Sequence, residues 1–191
     1  MILTKIDDIF ANETLYAARY NEDGDNELKR LQDLWTNPIE VHKFVKRNGG
    51  VLLSRYSIDD LSKMIFKEAE EIDNILTELK NDPTKKLNDF FVPLNDGDSE
   101  LIPLGKKKGK IKNGLTFLRL YAIKIEDNCY LITGGAIKMT KKMGGNGEDT
   151  DRERSRLDIW RADLHKSGVK CKEDFFEFIK NIKIIHLIKN F

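Results

Sequence analysis

The sequence has few cysteines, few histidines and no long apolar run, and each shortage argues against a class of protein. Its two cysteines, Cys129 and Cys171, lack CxxC spacing and therefore predict reduced thiols, not a disulfide framework or a zinc ribbon. No segment approaches the roughly 18 to 20 consecutive apolar residues that span a bilayer, so we expect no membrane association. The opening MILTKIDDIF carries acids where a signal peptide needs a basic region, which predicts a cytoplasmic protein.

Motifs for cofactors and metals are also missing. The three histidines, His42, His165 and His186, are widely separated and have no HExxH pair or Asp/His ligand spacing. The glycine-rich pieces GKKKGK and GGNG match neither the dinucleotide fingerprint nor the nucleotide-binding loop that ends in GK[ST]. The sequence therefore predicts no cofactor and no metal site.

What the chain does have is an uneven distribution of charge. The net charge is +1, yet residues 1 to 105 hold 13 basic and 21 acidic side chains, whereas residues 106 to 142 hold 10 and 2. Residues 143 to 191 are nearly balanced, with 10 basic and 9 acidic side chains. A concentrated basic segment is typical of a surface that attracts phosphate, so a nucleic-acid partner stays possible despite the small net charge.

Periodicity places most helices in the first half. The stretch ETLYAARY (13 to 20) alternates like a strand and ends in the turn signal NEDGDN. Helices are predicted in NELKRLQDLW, in PIEVHKFVKRNGG and from SIDD onward, where Ser57 and Asp60 have the spacing of a capping box. The prolines and the NDGDSE stretch near residue 98 indicate a boundary between an acidic helical lobe and a basic lobe.

The second half reads as a sheet followed by helices. Residues from about 115 to 142 have a period of two, and the stretch from Thr150 to about His165 is helical in pattern. The final DFFEFIKNIKIIHLIKNF fits either one helix or a helix followed by a strand. We therefore predict an α+β protein with an acidic, mostly helical lobe at 1–98 and a basic β-sheet lobe with C-terminal helices at 99–191, packed as one compact unit.

The lysine run GKKKGKIKNG is the first candidate site. It places five lysines within seven positions, and such a cluster commonly forms a phosphate-attracting patch on a loop or hairpin. A solvated turn is the structural alternative. Under the first interpretation RNA is contacted by Lys106, Lys107, Lys108, Lys110 and Lys112.

The strand that follows supplies the second candidate. On a straight strand Arg119 shares a face with Phe117 and Tyr121, so a guanidinium lies beside an aromatic ring on a rigid element. Such a face can stack a base and bind a phosphate through two parallel hydrogen bonds. An arginine paired with a neighbouring acid is the alternative.

Two glycines interrupt the next strand. Gly134 and Gly135 predict a bulge or the close approach of another group to the backbone. Lys138, Lys141 and Lys142 follow directly, which places three ammonium groups near the kink in sequence. The stretch GEDTDRERSR, by contrast, has acids and arginines at helical spacing and is typical of a salt-bridged solvent face.

The stretch LRLYAI…YLITGGAIKMT resembles the strand core of the RelE/HigB superfamily of toxins from bacterial toxin–antitoxin pairs, especially its HigB-like branch. The resemblance covers roughly residues 100 to 166 and implies a small antiparallel sheet, metal-free cleavage of messenger RNA, usually on the ribosome, and inhibition by a cognate antitoxin. It maps the family's arginine to Arg119 and its first lysine to Lys138, while its second lysine is Met139 here.

The functional expectation is a toxin that acts on RNA or the ribosome by metal-free phosphodiester cleavage. RNA supplies its own nucleophile, the 2′-hydroxyl, so a protein mainly has to orient it and stabilise the charge on the phosphate. Arg119 and Lys138 are the candidates for that role, with Tyr121, Tyr130 or a lysine of lowered pKa as acid or base. A non-catalytic RNA-binding or protein-interaction module on the same fold is the alternative.

Overall fold

The computed structural model describes residues 5–21, 23–95, 104–110, 117–139 and 148–189. At 148–150 and 183–189 the backbone alone is described. Within these ranges strands and helices are mixed along the chain. The strands are β1 (Lys5–Asp8), β2 (Leu15–Arg19), β3 (Phe91–Pro93), β4 (Lys106–Gly109), β5 (Leu118–Glu126) and β6 (Cys129–Ile137). The helices are α1 (Glu27–Thr36), α2 (Pro38–Asn48), α3 (Ile58–Asn81), α4 (Leu87–Phe90), α5 (Glu148–Lys166) and α6 (Lys172–Lys189), with a 3₁₀ turn at Gly50–Ser54.

All six strands form a single mixed sheet in the order β1-β2-β6-β5-β4-β3. Four of the five strand pairs are antiparallel, but β2 lies parallel to β6, with Leu15 opposite Tyr130 and Ala17 opposite Ile132. The α+β class is therefore confirmed, and the expectation of a purely antiparallel sheet is wrong at this one junction. The chain between β2 and β6 is long enough to contain four helices, which allows the crossover that a parallel pair requires.

The predicted helix starts are confirmed by their caps. Asn26 accepts from the backbone N–H of Lys29 at the start of α1, and Pro38 opens α2 behind Asn37. Ser57 and Asp60 form the reciprocal capping box of α3. These contacts satisfy N–H groups in the first turn, which have no partner inside the helix. The closing segment forms a single helix, α6, which was one of its two predicted structures, the other being a helix followed by a strand.

The sheet separates two hydrophobic cores. On one face, strand residues such as Leu118, Leu120 and Ile132 pack with α1, α2, α3 and α4. On the other face, Tyr121 and Ile123 pack with apolar residues of α5 and α6. Because successive side chains of a strand point to opposite faces, one strand serves both cores. The result is three layers, with the sheet in the middle.

Strands from both predicted lobes share this sheet. β1, β2 and β3 come from residues before 98 and β4, β5 and β6 from residues after it, and β3 pairs with β4 across the boundary. The proposed boundary at residue 98 lies outside the described residues. The lysine run was predicted as a loop, a hairpin or a solvated turn, yet Lys106–Gly109 is a strand, because backbone pairing with β3 and β5 holds it on both sides.

Candidate functional site

The sheet places three of the predicted site residues on one face. Lys108 of β4 lies directly opposite Tyr121 of β5, and Arg119 lies two residues before Tyr121 on the same strand. The Nη1 group of Arg119 donates to the carbonyl of Leu118 at 2.6 Å, which holds its half-buried guanidinium against β5. The predicted sharing of a face by Arg119 and Tyr121 is thus confirmed, but its extension to Phe117 is wrong, because Phe117 precedes β5 and packs in the core on the other face of the sheet.

Lys138 follows the end of β6 and joins this group. Its backbone N–H donates to the carbonyl of Phe117 at 2.7 Å, which continues the pairing of β5 with β6. Burial lowers the pKa of Lys138, and the positive charges of Arg119, Arg154 and Lys108 lower it further, while Asp151 opposes the shift. Arg119, Arg154 and Lys108 thus lie within electrostatic range of Lys138, and Arg119 and Lys108 share one face of the sheet. We call Lys108, Arg119, Lys138 and Arg154 the basic cluster.

Arg154 is a member that the sequence analysis did not select. It lies on α5 within GEDTDRERSR, which was interpreted as a salt-bridged solvent face. That interpretation holds in part, since Arg156 and Glu153 of the same helix do form an ion pair. α5 packs on β5 and β6, and the charge of Arg154 acts on Lys138 together with that of Arg119. Helical spacing alone does not identify the side of the helix that meets the sheet.

Tyr121 is less suited to the catalytic role that was considered for it. Its side chain is only 3% exposed and belongs to the core beneath α5 and α6. Burial raises the pKa of Tyr121, although the nearby charges of Arg119 and Arg154 oppose the shift. A buried hydroxyl with a raised pKa gives up its proton less readily and has little access to a substrate.

The lysine run divides into three environments. Lys107 is only 2% exposed because it points to the face opposite Lys106 and Lys108, and its proposed contact with RNA is therefore corrected. Lys106 forms an ion pair with Asp158 at 2.8 Å, and Lys108 donates to the carbonyl of Leu94 at 3.0 Å. Lys110 is exposed. Three further predicted RNA contacts, Lys112, Lys141 and Lys142, lie outside the described residues.

The predicted irregularity at the paired glycines is confirmed. Tyr121 pairs with Gly134 whereas Ala122 pairs with Ile132, so Thr133 is the extra residue of a bulge. The groups that approach the glycines belong to the protein itself. A Cβ at Gly134 would lie 2.0 Å from Oε2 of Glu153, and a Cβ at Gly135 would lie 2.4 Å from the carbonyl oxygen of Arg119. The glycines therefore make room for a carboxylate and for tight strand pairing.

The carboxylate beside Gly134 belongs to a buried ionic network that the sequence analysis missed. Glu27 of α1 and Glu153 of α5 are 2% and 3% exposed. Arg30 donates to both oxygens of Glu27, at 2.9 and 2.7 Å, and Arg156 donates to both oxygens of Glu153, at 3.0 and 3.3 Å. Burial raises the pKa of Glu153, with Arg156 opposing and Glu27 adding to the shift. Since the network joins α1 to α5 past the edge of β6, no local sequence pattern could reveal it.

A hydrogen-bonded chain supports the same bulge from the side of β2. The indole N–H of Trp160 donates to the hydroxyl of Tyr20 at 2.8 Å, and that hydroxyl donates to the carbonyl of Thr133 at 2.5 Å. The guanidinium of Arg156 lies 4.5 Å from the centre of the Tyr20 ring. The bulge is thereby contacted both by the Tyr20 hydroxyl at Thr133 and by the Glu153 carboxylate beside Gly134.

Comparison with protein-family models, with curated proteins and with solved structures found no match. In the described part of the chain, no group of three or more His, Cys, Asp and Glu side chains is placed to hold a metal ion. Among the helices that the structure describes, none combines the length and apolar character needed to cross a bilayer.

Proposed function

We propose that this protein binds RNA at the basic cluster and cleaves its phosphodiester backbone without a metal ion, as a RelE/HigB-like toxin does. The observation that carries the proposal is that Arg119 and Lys108 share one face of the sheet, that α5, which carries Arg154, packs on β5 and β6, and that all three charges act on Lys138. A group of half-buried cations attracts an anion such as a phosphate. Under this proposal the target is RNA or the ribosome in the cytoplasm, and a cognate antitoxin is the expected inhibitor.

The chemistry follows from the properties of the cluster. When the 2′-hydroxyl of RNA attacks the adjacent phosphorus, negative charge grows on the non-bridging oxygens. Arg119 and Arg154 are suited to stabilise that charge, since a guanidinium can donate two parallel hydrogen bonds to a phosphate. Lys138 is the better acid or base, because its lowered pKa brings its proton exchange closer to neutral pH.

A non-catalytic RNA-binding module is the second candidate, and the burial of Tyr121 favours it. With Tyr121 inaccessible, the cluster offers cations for binding but only the lowered pKa of Lys138 to favour proton transfer. Both candidates predict RNA binding that weakens as salt is raised, because bound phosphates release counterions. Only the enzyme yields product ends that carry a 2′,3′-cyclic phosphate.

The deciding experiment compares Arg119→Ala and Lys138→Ala with Lys63→Ala, a change at an exposed lysine on α3 far along the chain from the cluster. Loss of a hydrogen bond to a charged group costs about 1.5 to 3 kcal/mol, or roughly 10-fold to 150-fold in RNA affinity or cleavage rate. We expect that loss in both cluster variants and none in Lys63→Ala. Thermal unfolding should separate this effect from damage to the fold.

Each result assigns the function. Cleavage that persists in a chelator and falls in both cluster variants supports the enzyme. Binding that falls in the variants, with no cyclic phosphate formed by the native chain, supports the non-catalytic module. If both variants retain full RNA binding and cleavage while Lys63→Ala does too, the basic cluster is not the working site.

A further inference from the structure

The outer edge of β6 carries backbone groups that face away from its neighbour. The bond from Lys138 N–H to the Phe117 carbonyl shows that Leu118 and Ile137 form a pair without mutual hydrogen bonds. By the alternation of antiparallel pairing, Gly135 has the same orientation as Ile137. The N–H and C=O groups of both residues therefore point away from β5, toward the side where β2 would have to continue.

No second strand covers this part of the edge within the described residues. β2 pairs with β6 only from Tyr130 to Ile132, before the bulge, and no other strand of the described sheet lies on that side. Gly135 and Ile137 are nevertheless buried. Buried backbone groups are nearly always hydrogen bonded, to protein, water or a ligand, so this edge is a place where an added partner would gain hydrogen bonds.

A cavity of about 430 Å³ lies against this edge. Its floor is Gly135, Ala136 and Ile137, and its walls come from α1 and α2 on one side and from the start of α5 on the other. Leu34 and Phe44 supply apolar surface in the wall. The three strand residues span roughly 10 Å, which is the length of three residues of an added strand.

The cavity wall is predominantly basic. Four cations line it against two acids, but three of these cations already have an acidic partner: Arg30 pairs with Glu27, Lys43 with Glu40 at 3.0 Å, and Arg152 with Glu153 at 3.9 Å. The cations are Arg30, Lys43, Arg47 and Arg152. Arg47 is exposed on α2 and has no ion pair within the described part of the chain. An acidic group of an occupant therefore complements Arg47.

We propose that this cavity binds an extended acidic peptide segment of a partner protein as an added strand beside Gly135–Ile137. The edge fits an extended backbone because its donors and acceptors recur at every second residue, as in other cases of strand addition. Side chains on one face of the added strand meet Leu34 and Phe44, and an acidic side chain of the segment meets Arg47. The site uses different residues from the basic cluster and does not depend on the RNA proposal.

The test uses the full chain and a fluorescently labelled hexapeptide of alternating valine and glutamate. We expect saturable binding by fluorescence anisotropy and slower hydrogen exchange at the amides of Gly135 and Ile137. A peptide with every peptide nitrogen methylated keeps the side chains but cannot donate to the edge, and it should bind at least about tenfold more weakly. A valine–lysine peptide should not bind.

A matched pair of variants isolates the charge of the wall. Arg47→Glu reverses an exposed charge that lines the cavity, whereas Lys46→Glu reverses an exposed charge on the same helix that does not line it. We expect Arg47→Glu to weaken peptide binding by roughly threefold to tenfold and Lys46→Glu to leave it nearly unchanged. Thermal unfolding of both variants controls for the fold.

Three results would overturn the proposal. One is equal binding of the native and methylated peptides, since strand addition requires backbone donors. Another is equal weakening by Arg47→Glu and Lys46→Glu, which would indicate attraction by the whole surface. The third is protection of the Gly135 and Ile137 amides by a uridine hexanucleotide and not by the acidic peptide, which would make the cavity part of an RNA surface.

Discussion

Replacing Gly134 by alanine tests the claim that this glycine exists to admit a carboxylate. The backbone of Gly134 has no positive φ, so alanine introduces no backbone strain there. Its Cβ would instead lie 2.0 Å from Oε2 and 3.2 Å from Cδ of Glu153, which is too close for either atom to stay in place. Glu153 is 3% exposed and bonded to Arg156, so moving it disturbs a buried ion pair.

The magnitude follows from these contacts. Overpacking a core costs about 1 to 3 kcal/mol, and breaking a buried ion pair costs about 3 to 5 kcal/mol. Because Arg156 is partly exposed and can move with its partner, we expect Gly134→Ala to lower the free energy of unfolding by about 3 kcal/mol. In a Glu153→Ala background the nearest remaining atom is Oε2 of Glu27 at 3.8 Å, an ordinary contact. The cost of Gly134→Ala should then fall below about 1 kcal/mol, a coupling of roughly 2 kcal/mol.

Gly135→Ala is the matched control in the same cycle. The atom nearest to its Cβ is the backbone oxygen of Arg119, which remains when Glu153 is truncated. Its cost should therefore be additive with that of Glu153→Ala to within about 0.5 kcal/mol. Urea unfolding of the single and double variants, followed by circular dichroism, measures both cycles. Additivity in the Gly134 cycle, or equal coupling in both cycles, would refute this explanation of the paired glycines.

The remaining predictions concern other buried groups. Glu68→Gln should lower the free energy of unfolding by about 1 to 3 kcal/mol in urea, because its buried carboxylate accepts from two backbone amides at the start of β5. Tyr20→Phe should cost about 1 to 3 kcal/mol in the same assay, since it leaves an indole N–H and the carbonyl at the bulge without their partner. In the native protein at pH 8, iodoacetamide should modify Cys171 and spare Cys129, because burial raises the pKa of Cys129 to about 12. Mass spectrometry after digestion measures the labelling of each cysteine, and equal labelling of both would contradict this prediction. The pKa of Glu153 is raised in the folded state, so the folded state loses stability as pH rises from the ordinary value of 4.5 through the folded value. Glu153→Gln removes this loss and should gain stability relative to the native chain over the same pH range. A stability difference that does not change with pH would contradict this prediction.

Local signals in the sequence determined most of the helices and the two central strands. A cap such as Ser57 with Asp60 acts within one turn, and the apolar period of α3 is set by residues three and four apart, so both are visible without knowledge of the fold. The period of two predicted β5 and β6, and the paired glycines predicted the irregularity between them. For the candidate site, the sequence correctly placed Arg119 and Tyr121 on one face of a strand.

Tertiary structure alone decided which groups converge. β4 is a strand despite its three consecutive lysines, because pairing on both edges outweighs their low strand preference. Successive side chains of this strand point to opposite faces of the sheet, so Lys107 is buried on the face opposite Lys106 and Lys108. Arg154 joins the basic cluster, and Glu153 reaches Gly134, only because α5 packs across β5 and β6. Contacts between residues far apart in sequence depend on how the layers are stacked, and the parallel pairing of β2 with β6, which leaves the end of β6 open, has no local signal in the chain.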